Sequence, residues 1–582
     1  MNMIQKAKEQ VQGLTKQAYT AAVKENLLPE GVTVEPSVEI PKDTANGDYT
    51  TTFCLAAAKA MKMNPRQVAT ILTEHMALEG SYFTSVEIAG PGFMNFRLGD
   101  KWFGDTVTAI ESAGPDYGCS DMLKGRKIMV EFVSANPTGP MHMGNARGGA
   151  LGDGLAACLD WAGYDVTREF YINDAGNQIE KFGKSLAIRY LQLYKGEDAC
   201  PLPEECYQGA DIIARAKEFA EVHGDAYVNK DFDELKKAIV ADALPKNIEG
   251  LQRDLGKYRI KYDVWFHESD LHSSGAVKAV VDKLLETGAC YKAEDGAIMY
   301  RSAQYAAKYG VVNKRKTDDG SEEEAKDEVL VRANGIPTYF AADIAYHYNK
   351  LAVRGFDKAI DVWGADHHGH AIRFAATMRA PALGLEGRKL DFLIMQMVRL
   401  MRGDEIVKVS KRTGKALSLA DLMDEIGVDA CRFFFNAKPD SHLEFDLDLA
   451  IRQDSENPVY YVQYAHARIC TLLAAMAEAG CAVPAAADVD AALLTTPQER
   501  ELIKQLAMLP EEIHLAARDY DPSRINRYVT ELAARFHRFY NVCRIKDAEP
   551  AVRDARLKLA DATRRVLEIG LGIIGVTAPE KM

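Results

Sequence analysis

The stretch ANPTGPMHMGNARGG, Ala135 to Gly149, joins the strand-like run KIMVEFVS to a segment with a single apolar stripe. That stripe is Leu151, Leu155, Cys158 and Ala162, at helical spacing, and the run VTREFYI follows it with the alternation of a strand. A strand, a glycine-rich turn, a helix and a second strand form a βαβ unit, which predicts a parallel, doubly wound sheet. The turn leaves the carboxyl end of the first strand, where open α/β sheets bind ligands.

The residue types within this turn suit a nucleotide. Glycine lets a ligand approach the backbone closely, and the start of a helix offers free N–H groups to an anion. His142 can donate a hydrogen bond to a phosphate, Gly144 leaves room beside it, and Asn145 adds a neutral polar group. An ordinary connection between a strand and a helix can contain the same residues, because short glycine motifs recur by chance.

A second, basic segment lies much later in the chain, at IVKVSKRTGKALSL, residues 406–419. Its cations are Lys408, Lys411, Arg412 and Lys415, and Ser410 lies among them. A polycationic loop of this kind suits a triphosphate, although taken alone it would also fit a solvated basic turn.

Composition limits the classes of protein to which the chain can belong. No apolar run approaches the roughly 20 residues needed to span a bilayer, so we expect a cytoplasmic protein without a membrane partner. The ten cysteines are scattered and form no CxxC pair, which predicts reduced thiols and no structural metal. The formal net charge is −13, yet residues 521–565 carry 11 Lys and Arg against 6 Asp and Glu. That local excess predicts a surface for nucleic acid.

In combination, the two segments resemble the two signatures of class I aminoacyl-tRNA synthetases. His142-Met143-Gly144-Asn145 matches the HIGH signature, and Lys408-Val409-Ser410-Lys411 matches KMSK. Asn145 replaces the second histidine of the first signature, and Val409 replaces a methionine in the second. Longer stretches narrow the resemblance to the bacterial arginyl-tRNA synthetase family: GDYTTTFCLAAAKAM, IAGPGFMNFRL, NDAGNQI, IPTYFAADIAYH, VWGADHHGH, NPVYYVQYAHARI and GVTAPEKM.

This resemblance implies an α/β fold with three domains. We expect an N-terminal α/β domain that contacts tRNA at residues 1–110. A Rossmann-type catalytic domain with a doubly wound parallel sheet would follow at 111–455, with a helical insertion near 194–260. An α-helical anticodon-binding bundle would occupy 456–582. The implied reaction is ATP-dependent activation of L-arginine to arginyl-adenylate and transfer to the 3′-terminal ribose of tRNA(Arg), with ATP and Mg²⁺, by a monomer.

The resemblance also assigns roles to individual residues. Those implied in catalysis are His142, Asn145, Lys408, Ser410 and Lys411. Those implied in ATP binding are His142, Gly144, Asn145, Asp366, His367, His370, Lys408 and Lys411. Those implied in arginine binding are Glu131, Ser134, Asn136, His142, Tyr339, Asp343 and Asp366. Those implied in tRNA binding are Arg468, Arg524, Arg527, Arg535 and Arg538.

Physical arguments support some of these assignments and leave alternatives open. A guanidinium stays charged at any working pH, so its pocket needs carboxylates and bidentate acceptors. Tyr339 and Asp343 lie one helical turn apart, but a core tyrosine and a carboxylate near a helix start would give the same pattern. The four arginines at 524–538 share one helical face, which by default would be solvated.

Three other interpretations compete with this one. The histidines of VWGADHHGH could suggest zinc, but no cysteine lies near them, so a polar pocket wall is favoured. A cysteinyl-tRNA synthetase would need a zinc-binding cysteine set, which the sequence lacks. An RNA-binding relative without activity would not need the intact His142, Lys408 and Lys411.

Overall fold

The computed structural model describes residues 2–304, 314–316, 322–324, 327–365, 371, 374–375, 377–379, 381–403, 405–407, 417–437 and 441–582. A large apolar core runs through the N-terminal region, the central sheet and the C-terminal bundle, and two smaller cores lie near 271–385 and within 182–243. Among the described residues, no helix is both long and apolar enough to cross a membrane.

Helices make up most of the described chain. They are α1 (Met3–Lys24), α2 (Phe53–Met61), α3 (Pro65–Glu74), α4 (Asp100–Ala113), α5 (Met143–Trp161), α6 (Gly176–Lys195), α7 (Ala210–His223), α8 (Phe232–Lys257), α9 (Glu268–Ser273), α10 (Ala276–Glu286), α11 (Tyr339–Tyr348), α12 (Leu419–Ile426), α13 (Val428–Phe435), α14 (Leu447–Ile451), α15 (Pro458–Glu478), α16 (Pro497–Ala507), α17 (Leu509–Asp519), α18 (Ser523–Val542) and α19 (Pro550–Ile573). A turn of π-helix, Asn349–Val353, directly follows α11.

The strands are short and fall into several sheets. They are β1 (Val38–Glu39), β2 (Tyr49–Thr51), β3 (Phe83–Ala89), β4 (Phe93–Leu98), β5 (Lys127–Glu131), β6 (Asp165–Ile172), β7 (Val264–His267), β8 (Cys290–Lys292), β9 (Ile298–Tyr300), β10 (Lys314–Lys316), β11 (Glu322–Glu324), β12 (Glu328–Val331), β13 (Lys358–Gly364), β14 (Lys389–Met395), β15 (Val398–Arg402), β16 (Glu405–Ile406) and β17 (Leu443–Asp446).

The central sheet has five parallel strands in the order β7-β6-β5-β13-β14. Counted along the chain this order is 3-2-1-4-5, that of a Rossmann-type doubly wound sheet. Helix α5 connects β5 to β6 and buries the predicted stripe at Leu151, Leu155 and Cys158, with Ala162 just beyond its end. The predicted βαβ unit and fold class are therefore confirmed. The strand order reverses between β5 and β13, so the glycine-rich turn opens at a topological switch point.

The regions on either side of this sheet also have the predicted character. Before it, the antiparallel sheet β1-β2-β4-β3 packs with α1, α2 and α3 as an α/β unit. After it, α15 to α19 form the predicted bundle, in which Val462, Ile469, Val529 and Phe536 are buried. Helices α6, α7 and α8 share the small core of the expected helical insertion.

One buried arginine connects α5, the helix between β5 and β6, to the bundle. The Arg432 side chain is fully buried, and its guanidinium contacts Asp153 Oδ2 on α5 at 2.5 Å. It also donates to the Tyr258 carbonyl after α8 at 2.9 Å and to the Ile574 carbonyl after α19 at 3.0 Å. Three separate parts of the chain therefore meet at one side chain.

Candidate active site and nucleic-acid surface

A cavity of about 1090 Å³ opens at the carboxyl ends of β5, β13 and β14. The predicted site residues that line it are Glu131, Ser134, Asn136, His142, Gly144, Asn145, Tyr339 and Asp343. These come from the end of β5, the turn after it and the start of α5, and from α11, which lies about two hundred residues further along the sequence. The structure thus brings together all the described residues predicted to hold ATP or arginine.

The other predicted residues of this site are Asp366, His367, His370, Lys408, Ser410 and Lys411, and they lie outside the described residues. Their roles stay predictions. The described end of the basic segment does reach the glycine-rich turn, because Leu419 N donates to the Met141 carbonyl at 2.8 Å. Ser418 and His142 form an isolated bridge there.

His142 caps the N-terminus of α5. Its Nδ1 accepts from Gly144 N at 3.2 Å, and Asn145 Oδ1 accepts from His142 N at 3.0 Å, which completes a capping box. Burial lowers the pKa of His142, so the ring is neutral near pH 7. Since Nδ1 is an acceptor, the proton resides on Nε2, which becomes a donor beside the positive end of a helix.

The chain kinks sharply between β5 and the glycine-rich turn. Val133 and Ser134 both have positive φ angles, 70° and 42°, and for a β-branched valine this conformation is strained. The kink directs the Ser134 hydroxyl to Glu131 Oε1 at 2.8 Å, and the same oxygen of Ser134 accepts from Tyr171 N at 3.1 Å. The kinked backbone therefore places two of the predicted arginine-binding side chains, Ser134 and Glu131, in hydrogen-bond contact.

Tyr339 and Asp343 lie one turn apart on α11, as the spacing predicts. Tyr339 is 46% exposed, so it is not a core residue, and its hydroxyl accepts from Asn177 N at 3.2 Å. The Asp343 carbonyl lies 2.8 Å from His347 Nδ1.

Three acidic residues lie side by side on the central sheet, directly behind the cavity wall. Glu131 on β5 is in register with Glu169 on β6 and with Asp361 on β13, so the three side chains share one face of the sheet. All three are buried. Like charges on neighbouring strands destabilise a sheet, so this arrangement needs counterions.

The counterions come from α11 and the π-turn after it. The fully buried Lys350 ammonium lies 2.5 Å from Glu131 Oε2 and 2.8 Å from Asp361 Oδ1, and Arg354 binds Glu169 through two nitrogens. Burial disfavours the ammonium, but the two carboxylates outweigh burial and raise the pKa of Lys350.

The same contacts set the ionisation of the acidic residues. Burial opposes a charge on Asp361, yet Lys350 and His347 outweigh it and hold the pKa of this carboxyl at about 2. Burial raises the pKa of Glu131, and the attraction of Lys350 limits the rise.

Arg147 ties the start of α5 to another edge of the cavity. Its side chain is almost fully buried and donates to the carbonyls of Gln396 at 2.7 Å, Met397 at 3.0 Å and Ser441 at 3.0 Å. Gln396 and Met397 line the cavity between β14 and β15. The two walls are therefore held together by a side chain within the glycine-rich motif.

In the bundle, the predicted arginine face exists on α18, but its cations are paired with acidic residues. The pairs are Arg524 with Glu512 and Asp519, Arg527 with Asp521, Arg535 with Glu501 and Glu531, and Arg538 with Glu531. Arg527 and Arg538 have side chains 60% and 63% exposed, so those two pairs are largely in solvent.

An aromatic surface lies close to this face, around the predicted Arg468. The rings of Tyr460 and Tyr464 are stacked, 6.0 Å apart and 6° from parallel, and His537 stacks on Tyr464 at 6.1 Å. The Arg468 guanidinium lies 4.2 Å from the centre of the Tyr540 ring. A cavity of about 270 Å³ opens here. Stacked rings beside a cation suit the unpaired bases of RNA.

Family models match three successive parts of the chain. They are an arginyl tRNA synthetase N-terminal domain at residues 7–98, the catalytic domain of class I (R) tRNA synthetases at 107–440, and a DALR anticodon-binding domain at 462–582. Arginine–tRNA ligases of Acetivibrio thermocellus and Caldanaerobacter subterraneus subsp. tengcongensis are 48% and 50% identical, each over 100% of both chains. The chain belongs to the arginyl-tRNA synthetase family. The resemblance inferred from the two signatures is thereby confirmed.

The fold agrees with that of a solved arginyl-tRNA synthetase from Thermus thermophilus. The two structures superpose with a TM-score of 0.71 over 98% of this chain and 99% of that chain, at 21% sequence identity. This likeness concerns the architecture, in which a Rossmann-type sheet lies between an N-terminal domain and a helical bundle.

Sequence reasoning missed two groups of residues in this arginyl-tRNA synthetase family member. The first is the buried network of Lys350, Asp361, Glu169 and Arg354, for which sequence gives no signal until the strand register is known. The second is the ring cluster of Tyr460, Tyr464, His537 and Tyr540. Part of that cluster could have been found, because tyrosines four residues apart in NPVYYVQYAHARI share one helical face.

Proposed function

We propose that the chain activates L-arginine with ATP and transfers the arginyl group to the 3′-terminal ribose of tRNA(Arg). One observation carries this proposal: two carboxylates, Glu131 and Asp343, line the same cavity as the His142 cap of α5. A site for a cation therefore adjoins a site for an anion at the switch point of a parallel sheet.

The carboxylates and Tyr339 would bind the arginine side chain. A guanidinium presents five N–H donors in a plane, and carboxylate pairs match it with bidentate, charge-assisted hydrogen bonds. Ser134, Asn136 and Asp366 would complete the site around the rest of the amino acid, as the family resemblance implies.

His142, Gly144 and Asn145 would receive ATP at the start of α5, together with Asp366, His367 and His370. An oxygen of the arginine carboxylate attacks the α-phosphorus, the bond from that phosphorus to the bridging oxygen breaks, and pyrophosphate leaves with the electron pair. The ribose hydroxyl then attacks the arginyl carbonyl, the bond from the carbonyl carbon to the phosphate oxygen breaks, and AMP leaves with the electron pair while the hydroxyl proton passes to its phosphate. Catalysis consists of positioning and charge stabilisation by His142, Lys408 and Lys411, with Ser410 in the same loop.

We include Mg²⁺ in the proposal as the ion that accompanies the triphosphate. The carboxylates that line the cavity among the described residues are Glu131 and Asp343, and both are assigned to arginine. The donor set therefore fits an ion held by phosphate oxygens and water, as Mg²⁺ prefers, and does not fit a protein cage.

The C-terminal surface would bind the anticodon region of tRNA(Arg). Arg468 and its neighbouring rings offer stacking, and Arg524, Arg527, Arg535 and Arg538 offer phosphate contacts if they exchange their acidic partners for RNA. The domain limits 1–110, 111–455 and 456–582 stay part of the proposal, as do a monomer and a cytoplasmic location. The ten cysteines are all free thiols, which is usual in a reducing compartment.

The proposal is tested by supplying each of the twenty amino acids with ATP, Mg²⁺ and total tRNA. Arginine alone should be attached to tRNA, and arginine alone should support exchange of pyrophosphate into ATP. Lys411→Ala should slow the exchange by about 10²–10³-fold, as loss of one preorganised donor does. Charging with another amino acid, or none, would contradict the proposal.

A further inference from the structure

Lys350 lies behind the cavity wall, in the π-turn that follows α11. Its side chain is fully buried, and its ammonium contacts Glu131 Oε2 at 2.5 Å, Asp361 Oδ1 at 2.8 Å and His347 Nε2 at 3.4 Å. Glu131 does line the cavity, and Ser134 holds its other oxygen at 2.8 Å. Both oxygens of the carboxylate are thus held by the protein, one of them by a cation shielded from solvent.

We propose that Lys350 is a positioning residue for the amino-acid substrate, which holds the Glu131 carboxylate in place at the cavity wall. The inference rests on the proposed function, in which Glu131 binds the guanidinium of arginine. Lys350 itself does not line the cavity, so it acts through Glu131.

The register of the sheet explains why a cation is needed there. Glu131 lies between Glu169 and Asp361 on adjacent strands, and Arg354 already binds Glu169 through two nitrogens. Lys350 is the cation that contacts both of the remaining carboxylates. Without it, a buried Glu131 would face a neighbouring acid and would take up a proton, since burial and like charge both favour the neutral form. A neutral carboxyl attracts a guanidinium only weakly.

Charged and titratable groups surround Glu131 on every side. They are Tyr346, His347, Lys350, Arg354 and Asp343 from α11 and its π-turn, Asp361 from β13, Glu169 and Tyr171 from β6, and Tyr262 before β7. If the Lys350 ammonium is removed, the other groups remain, so the net charge around Glu131 becomes more negative.

The test compares Lys350→Met with the wild-type enzyme in aminoacylation between pH 6.5 and 8.5. Near neutral pH the KM for arginine should rise by about 30-fold or more, as when one partner of a buried charge pair is removed. The ratio of variant to wild-type KM should then fall as pH rises, because Glu131 with a raised pKa regains its charge. The KM for ATP should stay close to that of the wild type.

Lys558→Met is the matched control. Lys558 is also a buried lysine between two acidic residues, Glu111 and Asp561, but it lies in the bundle. The Lys558→Met substitution should lower the free energy of unfolding. The ratio of its KM for arginine to that of the wild type should not depend on pH. If Lys350→Met does not fold, Lys350→Met with Asp361→Asn removes a cation and an anion together and gives the same readout.

A second set of variants tests whether Lys350 acts through Glu131. In a Glu131→Gln background, Lys350→Met should produce no further rise in the KM for arginine. An additive effect, or a KM ratio that does not change with pH, would overturn the inference. A wild-type enzyme that fails to charge tRNA with arginine would instead overturn the proposed function, so the two failures are distinguishable.

Discussion

The buried charge cluster behind the cavity, formed by Glu131, Glu169, Asp361, Lys350 and Arg354, and the arginine face of α18 both consist of cations beside carboxylates, but they differ in exposure. Lys350 and Asp361 are fully buried, whereas Arg527 and Arg538 keep about three fifths of their side chains in solvent. Removing one partner of a buried pair strands a charge and costs about 3–5 kcal/mol, while an exposed pair contributes about 0–1 kcal/mol. Pairs of cations and carboxylates therefore hold side chains in fixed positions in the buried cluster, whereas the exposed pairs on α18 can exchange partners.

This difference suits the two proposed ligands. Arginine is small and must be distinguished from neutral analogues, which requires acceptors that do not move. RNA is a large polyanion, and arginines in weak pairs can release acidic side chains and bind phosphates at little cost. The following variants test the contrast, beginning with the largest expected effect.

Asp343→Asn should have the largest effect, because it removes a carboxylate from the cavity wall. We expect transition-state binding of arginine to weaken by about 3–5 kcal/mol, since the guanidinium would lose one of its two carboxylate partners and keep only Glu131. The kcat/KM for arginine and inhibition by citrulline measure this loss, and discrimination against citrulline should narrow. Unchanged arginine kinetics with a raised KM for ATP would assign Asp343 to the nucleotide instead.

Tyr464→Ala should have a smaller effect, confined to tRNA. Loss of one stacking ring should weaken tRNA binding by about 1–3 kcal/mol, which a filter-binding or fluorescence titration measures. Tyr194→Ala is the matched control, because Tyr194 is similarly exposed, at 43% against 40%, but lies on α6. Equal affinities for the two variants would argue that the ring cluster does not contact RNA.

Val133→Gly should affect stability and activity in opposite directions. Glycine adopts positive φ without strain, so we expect the free energy of unfolding to rise by about 1 kcal/mol in denaturant titrations. The KM for arginine should rise at the same time, because the kink would no longer be rigid around Ser134 and Glu131. A fall in stability with an unchanged KM for arginine would show that the valine side chain matters chiefly for packing.

Replacement of Arg524, Arg527, Arg535 and Arg538 by alanine should have the smallest effect on the protein itself. The changes at the exposed Arg527 and Arg538 should each alter the free energy of unfolding by only about 0.5 kcal/mol. The changes at Arg524 and Arg535, which are 28% and 25% exposed, should each cost up to about 1 kcal/mol. The dependence of tRNA affinity on salt should become less steep by about one counterion per lost phosphate contact. The same four positions changed to lysine retain the charge and should retain the slope. An unaltered slope in the alanine variant would mean that this face does not contact RNA.

Features that depend on nearby residues could be predicted from sequence. The apolar stripe of Leu151, Leu155 and Cys158 defines α5, and the glycine-rich turn before it defines the switch point. Because both lie within one βαβ unit, local pattern sufficed to predict the sheet and the position of the cavity. Helical spacing predicted that Tyr339 and Asp343 share one face of α11, whereas their predicted role came from the family resemblance.

Features that depend on register or on side-chain pairing could not be predicted. Glu131 and Asp361 are 230 residues apart, and only the pairing of β5 with β13 makes them neighbours. Without that pairing, nothing in the sequence distinguishes Lys350 from the other lysines. The pairing of Arg535 with Glu501 is similar, since Glu501 lies on another helix, α16. Such contacts follow from the tertiary fold, so no single stretch of sequence predicts them.

Because of the contacts made by Arg432, the helical bundle cannot be exchanged or removed independently of the rest of the chain. The Arg432 guanidinium binds the Ile574 carbonyl, and a side chain on Gly575 would approach Arg432 Nε to 2.2 Å. A fragment that ends before α19 would leave a buried guanidinium with one partner missing beside α5, the helix that His142 caps. Swapping the bundle for that of a relative, or cutting it away to obtain a smaller enzyme, would therefore disturb the cavity from behind. The last turn of the bundle is thus constrained by Arg432 and, through it, by α5.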